Sequence, residues 1–278
     1  MRIIILALLL LGACTSNKQK SLTDKKADIL YQHGTQKLVD KDYTGALKKL
    51  LNAQQLRPND EKILNNLGMA YFFKNELEQA KSYYSRALEV NPKFSEARNN
   101  LASIYFYEKK YSNAKEHYLI VAKDLVYDQQ FRTHYNLALI YNQEKDLNMT
   151  MKALETSIAI NDSYCPSHYL RGKIFYKSRK YKEALKSFHK ATLGACFQSP
   201  APHFFKAKTY LKMKMYENAD AILTELIQNH PNTRFHKEAD KLKIKIAKYS
   251  SKHSKSINEA ISQFNNEQKK GEIQTPKF

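Results

Sequence analysis

A small residue returns along most of this chain at an interval of about 34, and no other feature constrains the fold as strongly. Ala46, Ala80, Ala114, Thr150, Ala184 and Ala219 are separated by 34, 34, 36, 34 and 35 residues. Twelve residues before each stands a second small residue: Gly34, Gly68, Ala102, Ala138, Gly172 and Ala207. Four residues after each stands a larger one: Leu50, Tyr84, Tyr118, Leu154, Phe188 and Leu223. A period of this length belongs to stacked supersecondary units, each too small to bury its apolar face without a neighbour. Only seven glycines and seven prolines interrupt the 278 residues, so long helices meet few breakers.

The second unit shows the pattern whole, in NNLGMAYFFKNELEQAKSYYSRALEVNP from Asn65 to Pro92. Its Leu67, Gly68, Tyr71, Ala80, Tyr84, Ala87 and Pro92 resemble the tetratricopeptide repeat. The match has departures: Lys37 stands where the first repeat should have an aromatic residue, and the third repeat is two residues longer than the period. Pro58, Pro92 and Pro231 close three repeats, whereas Val126, Asp162 and Cys196 hold the same place in the others. The resemblance implies an all-α fold, a right-handed superhelical solenoid of six repeats over residues 27–233. The repeats run at about 27–60, 61–94, 95–130, 131–164, 165–199 and 200–233. Beyond them Phe235, Ala239, Leu242 and Ile246 recur at helical spacing among lysines, which predicts a capping helix over 234–249. The remaining 250–278 are expected to be weakly helical to disordered.

The amino terminus has its own grammar. Met1-Arg2 precedes nine apolar residues, Ile3 to Leu11. That is too short for a membrane span, which needs about 20 residues, and suits the core of a secretory signal peptide. Leu11-Gly12-Ala13-Cys14 then resembles the bacterial lipobox. The resemblance implies a lipoprotein signal peptide over 1–13 and a diacylglycerol on the Cys14 thiol, the one side chain nucleophilic enough to accept it. An ordinary signal peptide with a chance cysteine is the alternative. Residues 14–26 are polar and read as a lipidated flexible linker. Thr15, in place of an aspartate, implies an outer-membrane address facing the periplasm. The lipid on Cys14 is the only prosthetic group expected.

Lysine and arginine outnumber aspartate and glutamate by 46 to 27. The lysines are spread along the chain, as solvated faces are, and export argues against a nucleic-acid partner. No glycine-rich phosphate loop, HExxH or clustered Cys/His set is present, so neither an enzyme nor a metal site nor a small-molecule substrate is expected. His134, His168 and His203 occupy one repeat position. Helix layers pack about 10 Å apart, too far for the three to share a metal, so they are expected to pack. In the repeat frame Cys165 opens the first helix of repeat five and Cys196 ends its second. Antiparallel helices bring those ends together, and an oxidising compartment would close a disulfide. Two buried free thiols are the alternative.

In the repeat family the first helices line a concave groove. The corresponding positions here are Tyr31, Leu38, Asn65, Met69, Phe72, Phe73, Asn99, Phe106, Tyr107, Tyr135, Leu139, Tyr169, Tyr176, Phe204 and Leu211, with Lys173, Lys177, Lys208 and Lys212 at the far end. Aromatic rows of this kind mark protein-binding surfaces. The carboxylate-clamping subtype does not fit, because Tyr31 and Thr35 replace its lysine and asparagine. Lipobox, short leash and six repeats together resemble the pilotin-type lipoproteins of type IV pilus biogenesis. That resemblance implies a scaffold that holds an outer-membrane secretin subunit and promotes its assembly. A lipoprotein adaptor for peptidoglycan enzymes, or for another envelope-assembly complex, is the alternative.

Overall fold

The computed structural model describes residues 21–271, which hold thirteen α-helices and one short 3-10 helix. The helices are α1 (Leu22–Val39), α2 (Tyr43–Leu56), α3 (Glu61–Phe73), α4 (Leu77–Val90), α5 (Ser95–Tyr107), α6 (Tyr111–Val121), α7 (Gln130–Gln143), α8 (Leu147–Ile160), α9 (Cys165–Lys177), α10 (Tyr181–Ala191), α11 (Pro200–Lys212), α12 (Tyr216–Asn229) and α13 (Arg234–Gly271). The 3-10 turn is Gly194–Cys196. No strand occurs among the described residues, so the fold is all-α. They form two compact units, one closing at Tyr127 and one opening at Asp128. In the first, α1/α2, α3/α4 and α5/α6 pack as helical hairpins; in the second, α7/α8, α9/α10 and α11/α12 do so, and α13 packs on α12 and α11. No described helix is long and apolar enough to cross a membrane.

The small residues of the repeat mark where two helices touch. A Cβ added at Gly34 would lie 2.6 Å from Leu50, at Gly68 2.5 Å from Tyr84, and at Gly172 2.7 Å from Phe188. Each glycine therefore faces the large residue sixteen positions later, across the seam of its own hairpin. Leu50, Tyr84 and Phe188 are buried by that contact, and so are Ala46, Ala80, Ala114, Ala184 and Ala219. Tyr118 meets Ala102's hairpin differently: its hydroxyl lies 2.9 Å from Ser103 Oγ, which gives a buried phenol a partner.

Every hairpin turn is made the same way, without glycine. Lys41, Asn75, Lys109, Lys145, Arg179 and Lys214 all have φ between 59° and 64°, in the left-handed region. The next residue then donates its N–H back to the last turn of the first helix, as in Glu76 to Tyr71 O and Lys110 to Tyr105 O (2.9 and 2.8 Å). These are Schellman closures, which satisfy the carbonyls a helix end leaves open. Side chains start several helices: Ser21 Oγ accepts from Asp24 N, Asp42 from Gly45 N, Asp60 from Lys62 N and Ile63 N, and Asp146 from Met149 N. Arg57 links α1 to the start of α3, with Asp28 at 2.7 Å, Asp24 at 3.2 Å and Asp60 at 3.4 Å.

Two boundaries differ from expectation. The linker placed at 14–26 gives way to helix at Leu22, because Ser21 caps the chain there and Asp24 sits favourably in the first turn. The capping helix placed at 234–249 continues to Gly271, through the stretch expected to be weakly helical or disordered. Its first part packs: Phe235 and Ala239 are buried, and Leu242 and Ile246 lie against the same core as Phe204, Leu223 and Leu226. Farther on Ile261 is 52% exposed. The extension contains neither proline nor glycine before Gly271, so propensity favours the helix there. Cys14 and the signal-peptide residues lie outside the described residues.

Candidate functional site

In the first unit the positions predicted to line a groove divide into two kinds. Phe73 and Tyr107 are exposed, and Tyr31, Met69, Phe72 and Phe106 are half-buried. Phe73 stacks on Tyr43 at 4.9 Å and Phe106 meets Tyr111 edge-on at 5.4 Å, so the first ring is held by the helix before it and the second by the helix after it. Asn65, Asn99 and Leu38 are instead buried. Asn66 Nδ2 donates to Thr35 Oγ1 at 2.8 Å, Asn65 Nδ2 to Asn66 Oδ1 at 3.2 Å and to Glu96 at 3.1 Å, and Asn100 Nδ2 to Asn65 Oδ1 at 3.0 Å. This polar ladder joins α1, α3 and α5. Asn65 therefore fixes neighbouring repeats in register and is not a free groove contact. A buried amide would be costly without such partners.

The second unit presents a different face. Its first helices, α7, α9 and α11, contain Arg132, Arg171, Lys173, Lys177, Lys206, Lys208 and Lys212 and no aspartate or glutamate. The first helices of the other unit contain Asp24, Asp28, Glu61 and Glu96. Phe205 sits at the centre of the α9–α11 surface, with ring centroids of Tyr169, Tyr176, Phe188 and Phe204 between 5.8 and 6.1 Å away. Lys173 Nζ lies 5.5 Å over Tyr169 and 5.8 Å over Phe205, and Lys208 Nζ lies 5.5 Å over both Phe204 and Phe205. Such cation–π contacts hold the ammonium groups on the rings without neutralising them. Partial burial, Lys177 and Arg234 push the Lys173 ammonium below the usual lysine value. Burial raises the Tyr135 phenol to about 12, so that ring stays neutral. Phe204, predicted to face the groove, is buried at 3% exposure; its neighbour Phe205 takes the half-exposed place.

A cleft of about 320 Å³ opens beside this surface. Tyr176, Lys208, Leu211 and Lys212, all at predicted groove positions, meet Tyr216 of α12 and Leu242, Lys245, Ile246 and Tyr249 of α13 there. Tyr216 and Tyr249 stack at 5.6 Å with planes 23° apart. The α13 residues were missed as site residues because Leu242 and Ile246 read as core. Their spacing held the signal: Lys245 and Tyr249 follow at three and seven residues from Leu242, on the same stripe of the helix.

Cys165 and Cys196 are joined in a disulfide, with Cα atoms 6.1 Å apart. Cys165 opens α9, but Cys196 does not end α10. That helix stops at Ala191, where Thr192 Oγ1 bonds His189 O at 2.8 Å, and Gly194 turns the chain at φ +57° so that the 3-10 turn delivers the thiol. The recurring histidines act beside it. His168 Nε2 donates to Asp162 O at 2.8 Å and His203 Nε2 to Phe197 O at 3.0 Å, each to the carbonyl six residues earlier. They latch the turns that lead into α9 and α11. Burial pushes both imidazoles below the usual histidine value, and His134 likewise. Among the described residues no three His, Cys, Asp or Glu side chains cluster as a metal site requires.

Models of the tetratricopeptide repeat match residues 61–94, 95–119, 131–164 and 206–233. The anaphase-promoting complex subunit CDC16 of Saccharomyces cerevisiae is 27% identical over 143 residues, which is 50% of this chain and only 13% of the yeast protein. Among solved structures, PilF of Pseudomonas aeruginosa superposes with a TM-score of 0.69 at 20% identity, over 78% of this chain and 97% of PilF. PilW, a widely conserved type IV pilus biogenesis factor, gives 0.67 at 14% identity, over 76% of this chain and 97% of PilW. With its repeats matched in sequence and its hairpins seen in the structure, the chain carries tetratricopeptide repeats and shares the fold of PilF and PilW.

Proposed function

We propose that this protein is a membrane-anchored scaffold that binds a protein partner along its first helices and promotes secretin assembly in type IV pilus biogenesis. In this reading the lipid on Cys14 holds the chain at the outer membrane, facing the periplasm. The observation that carries it is the α9–α11 surface. Half-exposed Tyr169 and Phe205 lie under lysines, with Tyr176 edge-on to Phe205, on helices without a single acid. Such a surface offers apolar area and unneutralised charge to a polypeptide, and no group in it is arranged for covalent chemistry. The likeness to PilW supplies the setting. Anchoring would raise the partner's effective concentration at the bilayer with no added contact.

Deleting the gene and blotting the outer membrane for heat-resistant secretin multimers tests the proposal. Loss of multimers, restored by the wild-type chain, is expected. Unchanged multimers would remove the secretin role, and co-purification of peptidoglycan enzymes would then move the scaffold to that pathway.

A further inference from the structure

The cleft between α11, α12 and α13 combines features that a groove for an ordinary neutral segment does not need. Its depth is apolar, made by Leu211, Leu242 and Ile246. Lys208, Lys212 and Lys245 surround it, and none of the three has an acidic partner among the described residues. Two acids of the same helices are engaged elsewhere: Asp220 pairs with Lys243 at 3.1 Å, and Asp240 lies 3.3 Å from His236. Lys208 is held over Phe204 and Phe205 while its charge stays available. The stacked Tyr216 and Tyr249 close one side.

We propose that this cleft is a docking site for an acidic polypeptide segment bearing an aliphatic or aromatic anchor residue. The proposal rests on the reading that the chain's partner is a protein. The anchor enters between Leu211, Leu242 and Ile246, and carboxylates flanking it in the segment reach Lys208, Lys212 and Lys245. Charge complementarity selects the sign of the partner. The apolar depth selects a polypeptide over a phosphate-bearing polymer, because Leu and Ile give base edges no hydrogen bond. A planar headgroup layer would leave that depth unfilled. The site also assigns α13 a role beyond capping, since it contributes Lys245 and one wall.

The test uses the full chain and a fluorescein-labelled peptide, Glu-Leu-Glu-Phe-Glu-Glu-Leu-Glu, with anisotropy as the readout. A second peptide carries Gln at every Glu. Phosphatidylglycerol vesicles and a single-stranded oligonucleotide serve as competitors. The acidic peptide should bind, weakening as salt rises, and the Gln peptide should bind at least about tenfold more weakly. Lys212→Glu/Lys245→Glu changes two exposed lysines, so it should keep the wild-type melting curve and lose about tenfold in affinity for the acidic peptide. Leu242→Ala at the cleft floor gives a second variant, scored after its melting curve is compared. Equal binding of both peptides would overturn the proposal. So would unchanged affinity in the lysine variant, failure of the acidic peptide to bind, or its full displacement by vesicles or oligonucleotide. The two readings separate with purified secretin. If the wild type and the lysine variant capture it equally, the cleft proposal falls and the scaffold stands. If the wild type captures none yet still binds the acidic peptide, the secretin reading falls and the cleft stands.

Discussion

At the scale of single residues, the hairpin turns spend stability that one substitution can return. Lys109 lies at φ 61° in an exposed turn, and an L side chain there is less favourable than glycine by about 1–2 kcal/mol. Glycine loses more entropy on folding, which offsets part of the gain. Lys109→Gly should therefore raise stability by about 0.5–1 kcal/mol, seen as a higher urea midpoint with an unchanged slope. A lower midpoint would show that the lysine makes up for its conformation through contacts of its own. The histidine latches give a second residue-scale expectation, about pH. His168 and His203 donate as neutral rings, and burial outweighs the carboxylate of Asp162, 3.3 Å from His168 but itself exposed. Their folded values lie below the unfolded one, so the unfolded chain takes up protons first as pH falls. The stability they contribute is complete above about pH 6.5 and is lost as pH drops toward the lowered folded values. The urea midpoint should fall between pH 7.5 and 5.5, and less steeply in His168→Gln/His203→Gln. Equal steepness in the two proteins would place the loss on other groups.

At the scale of elements, the α9/α10 hairpin has a lock that its neighbours lack. The disulfide closes a loop of 31 residues, and by chain entropy it is worth about 3–4 kcal/mol. Reduction should shift the unfolding of the chain by that order, and Cys165→Ala/Cys196→Ala should match the reduced protein. Indifference to reductant would mean the hairpin gains nothing from the bond. How far these elements were legible depends on what each one signals. The hairpins were readable because Gly34/Leu50, Gly68/Tyr84 and Gly172/Phe188 leave a size pattern at a fixed distance. The turns were not, because Lys, Asn and Arg adopt a conformation usually signalled by glycine. Asn65 and Asn99 occupy groove positions in the repeat but are drawn inside, Asn65 by a ladder whose partners lie about thirty residues away in either direction, a distance no local pattern spans. The length of α13 was hard to read because apolar spacing thins after Ile246 while helix propensity does not.

At the scale of the whole molecule, export and redox chemistry can be read together. A disulfide of this kind persists where thiols are oxidised and is rare in a reducing cytosol. The proposed signal over residues 1–13 and the Cys165–Cys196 bond thus make one joint claim about where the chain folds. Two variants separate its parts. Deleting residues 2–13 keeps the chain inside the cell, where both Cys165 and Cys196 should react with a thiol-alkylating reagent added before lysis. Cys14→Ser keeps the apolar core of the signal, so Cys165 and Cys196 should stay protected, while incorporation of radiolabelled palmitate into the chain disappears. Lipid and bond then vary independently, as they must if one sets the address and the other the strength of a hairpin. Palmitate retained in Cys14→Ser would place the lipid on another residue. Protected thiols in the truncated chain would show that the bond forms without export, and the link between oxidising compartment and fold would fail.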